Sequence, residues 1–121
     1  MKKILVVDDE SEIRKLLNFA LRKSFLIEEA QDADSALEMI QFNRPTAILL
    51  DVMMPGKLNG FELCARIKND PELAGIYVVM ITARGQIIEQ ELGHSIGADA
   101  YFVKPFSPQK LEQHLLEALI N

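Results

Sequence analysis

Strand-length apolar runs alternate with helix-period stripes along this chain, and no other feature constrains its fold as tightly. Residues 3–8 form the first run, and Ile13, Leu16, Leu17, Ala20 and Leu21 then share one helix face. Residues 25–30 predict a weaker strand, placed at a sheet edge because Glu28 and Glu29 interrupt it. Ala33, Leu37 and Ile40 mark a short second helix, ending before Asn43-Arg44-Pro45. Residues 47–51 are apolar up to Asp51, as expected of a central strand buried on both faces. Gly60, Leu63, Cys64 and Ile67 mark a third helix, which ends at Asp70-Pro71 because proline disfavours helical geometry in the residue before it. Residues 76–82 predict a fourth strand and 100–104 a fifth. Between them, 85–96 carries a thin stripe of Ile88, Leu92 and Ile96, with Gly93 and Ser95 inside. An interior glycine costs about 1 kcal/mol relative to alanine, so this fourth helix is expected to be the most mobile. Ser107-Pro108 supplies a cap followed by proline at the first helical position, and Leu111, Leu115 and Leu119 bury the last helix. The alternation predicts an α/β fold: a doubly wound, five-stranded parallel sheet flanked by five helices, one domain over residues 1–121.

Composition narrows the function classes. The net charge of −5 argues against a nucleic-acid surface on this domain itself. The single cysteine, Cys64, cannot form an internal disulfide, which points to a reducing, cytoplasmic setting. Met1-Lys2-Lys3 followed by four apolar residues is too short for a secretory core, and no run reaches the length of a membrane span.

The chemistry lies where the strands stop. Four of the five predicted strands end at Asp8-Asp9, Asp51, Thr82 and Lys104. A parallel sheet puts the carboxyl ends of its strands along one rim, where open α/β folds place their ligand crevice. Three carboxylates, a hydroxyl and an ammonium therefore converge, a set suited to phosphoryl transfer with a hard divalent cation. Two unit charges about 4 Å apart repel by roughly 4 kcal/mol at an effective dielectric near 20, so three clustered acids call for a cation. Oxygen donors without His or Cys select Mg²⁺, Mn²⁺ or Ca²⁺ over zinc, and few carboxylates completed by waters and a phosphate suit Mg²⁺, with Mn²⁺ as a substitute. Asp51 is expected to be ionised at neutral pH and to act as a nucleophile without a base. Singly, each residue has a plainer reading: Asp8-Asp9 as a helix cap, Asp51 as a turn, Thr82 as a β-branched strand residue, Lys104 as a solvated lysine.

As a set, these residues resemble the receiver domain of two-component response regulators, the family of the chemotaxis regulators. Val6-Val7-Asp8-Asp9-Glu10 resembles its acidic motif and Leu49-Leu50-Asp51-Val52-Met53-Met54-Pro55-Gly56 its phosphoacceptor motif. Ile81-Thr82-Ala83 resembles its hydroxyl motif, and the stretch Gly97-Ala98-Asp99-Ala100-Tyr101-Phe102-Val103-Lys104-Pro105-Phe106 its lysine motif. The resemblance implies a flavodoxin-like strand order 2-1-3-4-5. It also implies that Asp51 receives a phosphoryl group from a histidine kinase or a phosphotransfer protein. Mg²⁺ would then be held by Asp9 and Asp51, by the main-chain carbonyl of Met53 and, through water, by Asp8. Lys104 and Thr82 would bind the phosphoryl group, the Lys104–Pro105 bond would be cis, and Arg84 and Met53 would tune the phosphate's lifetime. Tyr101 would turn inward as Thr82 moves, reshaping the surface of the fourth helix, fifth strand and fifth helix for a downstream effector protein. The chain would catalyse only its own phosphorylation and dephosphorylation, as a monomer or weak dimer. One departure stands out: Gly60, which opens the third helix, comes one residue later after Asp51 than is usual in the family, so residues 55–59 hold one extra residue.

Two rivals come from other classes. A phosphatase or nucleotide-binding enzyme would need a glycine-rich turn after a strand, and the first turn here is Asp8-Asp9-Glu10. An inert receiver-like interaction module would not need the full set of acids, hydroxyl and lysine. For the output, residues 109–119 lack the arginines that winged-helix transcription regulators of this family use in receiver dimers. That favours a stand-alone regulator or relay over the receiver fragment of a longer DNA-binding regulator. His94 and His114 are read as solvated helix residues.

Overall fold

The computed structural model describes residues 1–54, 58–83 and 96–119. Its elements run β1 (Lys3–Val7), α1 (Ser11–Leu21), β2 (Leu26–Ala30), α2 (Ala33–Phe42), β3 (Ala47–Asp51), α3 (Gly60–Asn69), β4 (Tyr77–Thr82), β5 (Ala100–Val103) and α4 (Pro108–Leu119). The strands form one sheet in the order β2-β1-β3-β4-β5, every pair parallel. The described residues hold four helices; the helix expected over 85–96 falls outside them except for Ile96, which lies in a turn. No helix among the described residues is long and apolar enough to cross a membrane.

The sheet splits the core into two layers, because successive strand residues face opposite sides. Leu5, Val7, Ile48, Leu50, Val78 and Met80 pack against Ala36 and Ile40 of α2 and Leu63, Cys64 and Ile67 of α3. Ile4, Val6, Leu49, Val79 and Ile81 pack against Leu17 and Leu21 of α1 and Leu111, Leu115 and Leu119 of α4. All five residues of β3 are buried, as its continuous apolar run requires at the centre of the sheet. Cys64 is fully buried in the core beside Leu63 and Ile67, and burial raises its thiol to about 11.

Some expectations need correction. Leu16 is 44 % exposed, since a helix lying on a flat sheet buries only the narrow line through Leu17 and Leu21. Leu37 is only partly buried, and Ala36 takes its place in the core. Phe25 precedes β2 and is fully buried beneath α1 and α4. His114 is not a solvated residue: its Nε2 shares a 2.7 Å hydrogen bond with the Tyr77 hydroxyl, and its ring meets Phe102 edge-on at 5.4 Å. His94 lies outside the described residues.

Candidate functional site

Four of the five strands bring a polar residue, at or just after their last position, to the same rim. Asp51 is the last residue of β3, paired in register with Ile81, and Thr82 is the last of β4, paired with Val103. Asp8 follows β1, and its N–H donates to the Ala30 carbonyl (3.1 Å), so the end of β2 holds the turn. Asp8, Asp51 and Thr82 are the three buried polar residues among those described, while Asp9 is exposed. Ligand atoms of Asp8, Asp9 and Asp51 lie within 4.8 Å of one another.

Lys104 reaches this cluster from the end of β5. Its Nζ lies 3.1 Å from Asp8 Oδ2, 3.8 Å from Asp51 Oδ1 and 3.8 Å from Glu10 Oε1. Its main-chain N–H donates to the Thr82 carbonyl at 2.6 Å, which joins the ends of β4 and β5. The Lys104–Pro105 peptide bond is cis. Burial pushes the Lys104 ammonium toward neutrality, but the carboxylates of Asp51, Asp8 and Glu10 outweigh it and raise its pKa. It is therefore charged at neutral pH.

Asp51 goes the other way. Burial and the neighbouring Asp8 carboxylate raise its pKa to about 7, against the opposing pull of Lys104 and a hydrogen bond from the Met53 N–H (3.3 Å). Burial therefore works against the ionised form of Asp51 that its role as a nucleophile needs at neutral pH. A divalent cation among the three acids would remove the repulsion, and the donor set, all oxygen with no His or Cys, fits Mg²⁺ or Mn²⁺.

The third helix is seated directly against the phosphoacceptor candidate. Asn59 and Glu62 form a reciprocal cap, and the Gly60 N–H donates to the Val52 carbonyl at 3.0 Å. A Cβ on Gly60 would clash with the Asp51 carbonyl oxygen and come within 2.8 Å of the Val52 Cα. Gly60→Ala is expected to destabilise the chain by about 1–3 kcal/mol through this overpacking; a urea midpoint equal to wild type would count against it.

Tyr101 is half-buried on β5, opposite Met80 and against the layer that holds α2 and α3. Arg84 and most of the loop with the extra residue, 55–57, lie outside the described residues. Asp99, inside the lysine motif, does not join the site. It accepts from the Val78 N–H (2.8 Å) and pairs with Lys68 (2.8 Å) at the opposite end of β4. The turn before it opens on Gly97, whose φ of +97° favours glycine. Sequence reasoning also missed Glu10, which shares Lys104, and Arg14, which donates to the Asp8 carbonyl. Glu10 is adjacent to the acidic pair and could have been noticed; Arg14 offers only a helix-face position.

Comparison with known proteins agrees with this geometry. The family described as "Response regulator receiver domain" matches residues 4–116. The probable transcriptional regulator ycf27 of Cyanophora paradoxa is 40% identical over 119 residues, covering 98% of this chain and 48% of the relative. The phosphate regulon transcriptional regulatory protein PhoB of Pseudomonas aeruginosa is also 40% identical, covering 98% of this chain and 52% of that protein. The chain thus spans about half the length of the curated relatives it matches. Among solved structures, chemotaxis protein CheY4 of Vibrio cholerae has a TM-score of 0.91 at 31% identity, covering 98% of this chain and 99% of that one. A response regulator from Chloroflexus aurantiacus, described as putative, has a TM-score of 0.92 at 32% identity, covering 99% and 98%. With its sheet order, its rim of acids and lysine and its sequence all in agreement, the chain belongs to the response regulator receiver domain family of two-component signalling.

Proposed function

We propose that the chain, as one receiver domain over residues 1–121, takes a phosphoryl group onto Asp51 from a histidine kinase or phosphotransfer protein and relays it as a change of shape. The observation that carries this reading is the rim itself: buried Asp51 lies beside Asp8 and Asp9, with the Lys104 ammonium 3.8 Å from its carboxylate. An Asp51 carboxylate oxygen forms the bond to phosphorus as the phosphorus–nitrogen bond to the donor imidazole breaks. Little covalent help is needed, so the site works by positioning and charge neutralisation. Lys104 balances one equatorial oxygen and the Thr82 hydroxyl donates to another. Mg²⁺, or Mn²⁺ in its place, would be held by Asp9, Asp51, the Met53 carbonyl and, through water, Asp8, and supplies positive charge to the acids and the phosphoryl oxygens when bound.

Phosphorylation adds about −1.5 to −2 charges. Thr82 moves toward the new group, Tyr101 turns into the space released, and the surface of the expected fourth helix with β5 and α4 changes for an effector protein. Inverting a 1:99 equilibrium needs roughly 5.5 kcal/mol of differential stabilisation, within reach of two or three charge-assisted contacts. Met53 and Arg84 flank the phosphoryl group and set its lifetime. The domain catalyses only its own phosphorylation and dephosphorylation, in the cytoplasm, as a monomer or weak dimer.

Two outputs have support. The 40% identical relatives are named as transcriptional regulators and the chain matches about half of each, which favours a receiver that governs a DNA-binding regulator. DNA contact then belongs to another part of that regulator, since this domain carries a net charge of −5. The 31% identity and shared fold with chemotaxis protein CheY4 support an output through contact with another protein as the second reading. The shared first step is tested by exposing the chain to acetyl phosphate. One phosphoryl group per chain is expected, located on Asp51 by mass spectrometry and abolished by EDTA. Labelling of another residue, or labelling undiminished in EDTA, would overturn the reading.

A further inference from the structure

We infer that Arg14 is a positioning residue for the cation site, acting through the peptide that joins Asp8 to Asp9. The inference rests on reading Asp8, Asp9 and Asp51 as that site. The three acids are not held alike. The Asp8 carboxylate is tied at both oxygens, Oδ1 by the Glu10 N–H (2.9 Å) and Oδ2 by Lys104 (3.1 Å). Asp51 is tied by the Met53 N–H. Asp9 is exposed, and among the described residues its carboxylate has no hydrogen bond, so the main chain alone aims it.

Arg14 controls that main chain. Its Nη1 donates to the Asp8 carbonyl at 2.6 Å, the oxygen of the peptide plane whose N–H belongs to Asp9. Its Nε donates to Glu29 Oε1 at 3.3 Å, and Glu29 Oε2 accepts from Asn18 Nδ2 at 3.0 Å. The Arg14 side chain is mostly buried, with 16% of it exposed. A planar guanidinium holds two acceptors in one fixed geometry, which a lysine cannot do. The N–H of Asp8 is held separately by Ala30 at the end of β2. Glu29, an apparent flaw in the apolar pattern of β2, thereby anchors the turn that presents the acids.

For Arg14, positioning and simple charge predict opposite results. A cation near the site repels Mg²⁺, so by charge alone Arg14→Gln would tighten binding and Glu29→Gln would weaken it. If Arg14 positions Asp9, both weaken it. The test is calorimetric titration of the full chain with MgCl₂ at pH 8, at a temperature where circular dichroism shows every variant folded. Arg14→Gln is expected to bind Mg²⁺ about tenfold more weakly, the scale typical of lost outer-shell contacts to metal ligands. Glu29→Gln is expected to weaken binding less, and Lys15→Gln, an exposed neighbour of like charge, not to weaken it. Amide hydrogen exchange at Glu10, whose N–H donates to Asp8 Oδ1 in the same turn, should quicken in metal-free Arg14→Gln and stay unchanged in Lys15→Gln. If Arg14→Gln does not fold, Arg14→Lys, which keeps the charge and loses the fork, carries the same expectation. Equal or tighter Mg²⁺ binding by the Arg14 variant while wild type binds normally would overturn this inference alone. A wild-type chain that binds no Mg²⁺ would overturn the cation reading itself, and this inference with it.

Discussion

Asp51→Asn is expected to lose all labelling by acetyl phosphate and, in the metal-free state above pH 7, to be more stable than wild type. The first effect follows from removing the nucleophile. The second follows from the raised pKa of Asp51, about 7 against an ordinary 3.8, caused first by burial and then by Asp8. Between those two values the folded chain binds a proton that the unfolded chain has released, so stability falls as pH rises through the window. The contribution is fully present below about pH 4 and gone by about pH 7. At about 1.4 kcal/mol per unit, the shift sets a ceiling of roughly 4 kcal/mol. The asparagine variant has no such titration, so its stability should stay flat where wild type declines. Urea denaturation in EDTA at pH 5, 6, 7 and 8 measures both slopes. Parallel profiles for the two proteins would show that the Asp51 carboxylate is not strained by its surroundings.

Lys104→Met should have the opposite effect on stability. Among the described residues Lys104 is the cation paired with the carboxylates of both Asp8 and Asp51, with 16% of its side chain exposed against 3% and 7% for theirs. Removing one partner of a buried ion pair leaves the other charge uncompensated, a loss of roughly 3 kcal/mol. The loss should be largest at pH 8, where Asp51 is ionised, and smaller at pH 5, where it is protonated. Saturating Mg²⁺ should recover part of it. A variant as stable as wild type at pH 8 in EDTA would show that the ammonium does not neutralise the cluster. Slower labelling by acetyl phosphate is expected alongside, since Lys104 would no longer balance the phosphoryl oxygens.

Much of the site could be read from the chain because a parallel sheet converts distant residues into neighbours by a simple rule. Asp8, Asp51, Thr82 and Lys104 each follow an apolar run, so recognising four strands was enough to place them on one rim. Cys64 and the leucines of α4 were legible in the same way, since their burial follows from helical period alone. The period does not say how much of a stripe reaches the core, and Leu16 shows the difference: it has the right phase on α1 and remains exposed. Polar partnerships were not legible either. His114 with Tyr77, Lys68 with Asp99 and Arg14 with Asp8 and Glu29 join residues whose spacing in the sequence carries no signal.

The sequence by itself thus determined the α/β alternation, the polar residue that ends four of the five apolar runs and the class of chemistry those residues suit, because short-range hydrophobic period and side-chain type are local properties. The tertiary structure alone decided how the acids share their charge: that Asp51 is pushed toward neutrality, that Lys104 pairs first with Asp8, and that Arg14 holds the peptide leading into Asp9. Electrostatic energy depends on distance and burial in three dimensions, and neither is written in the order of residues along the chain.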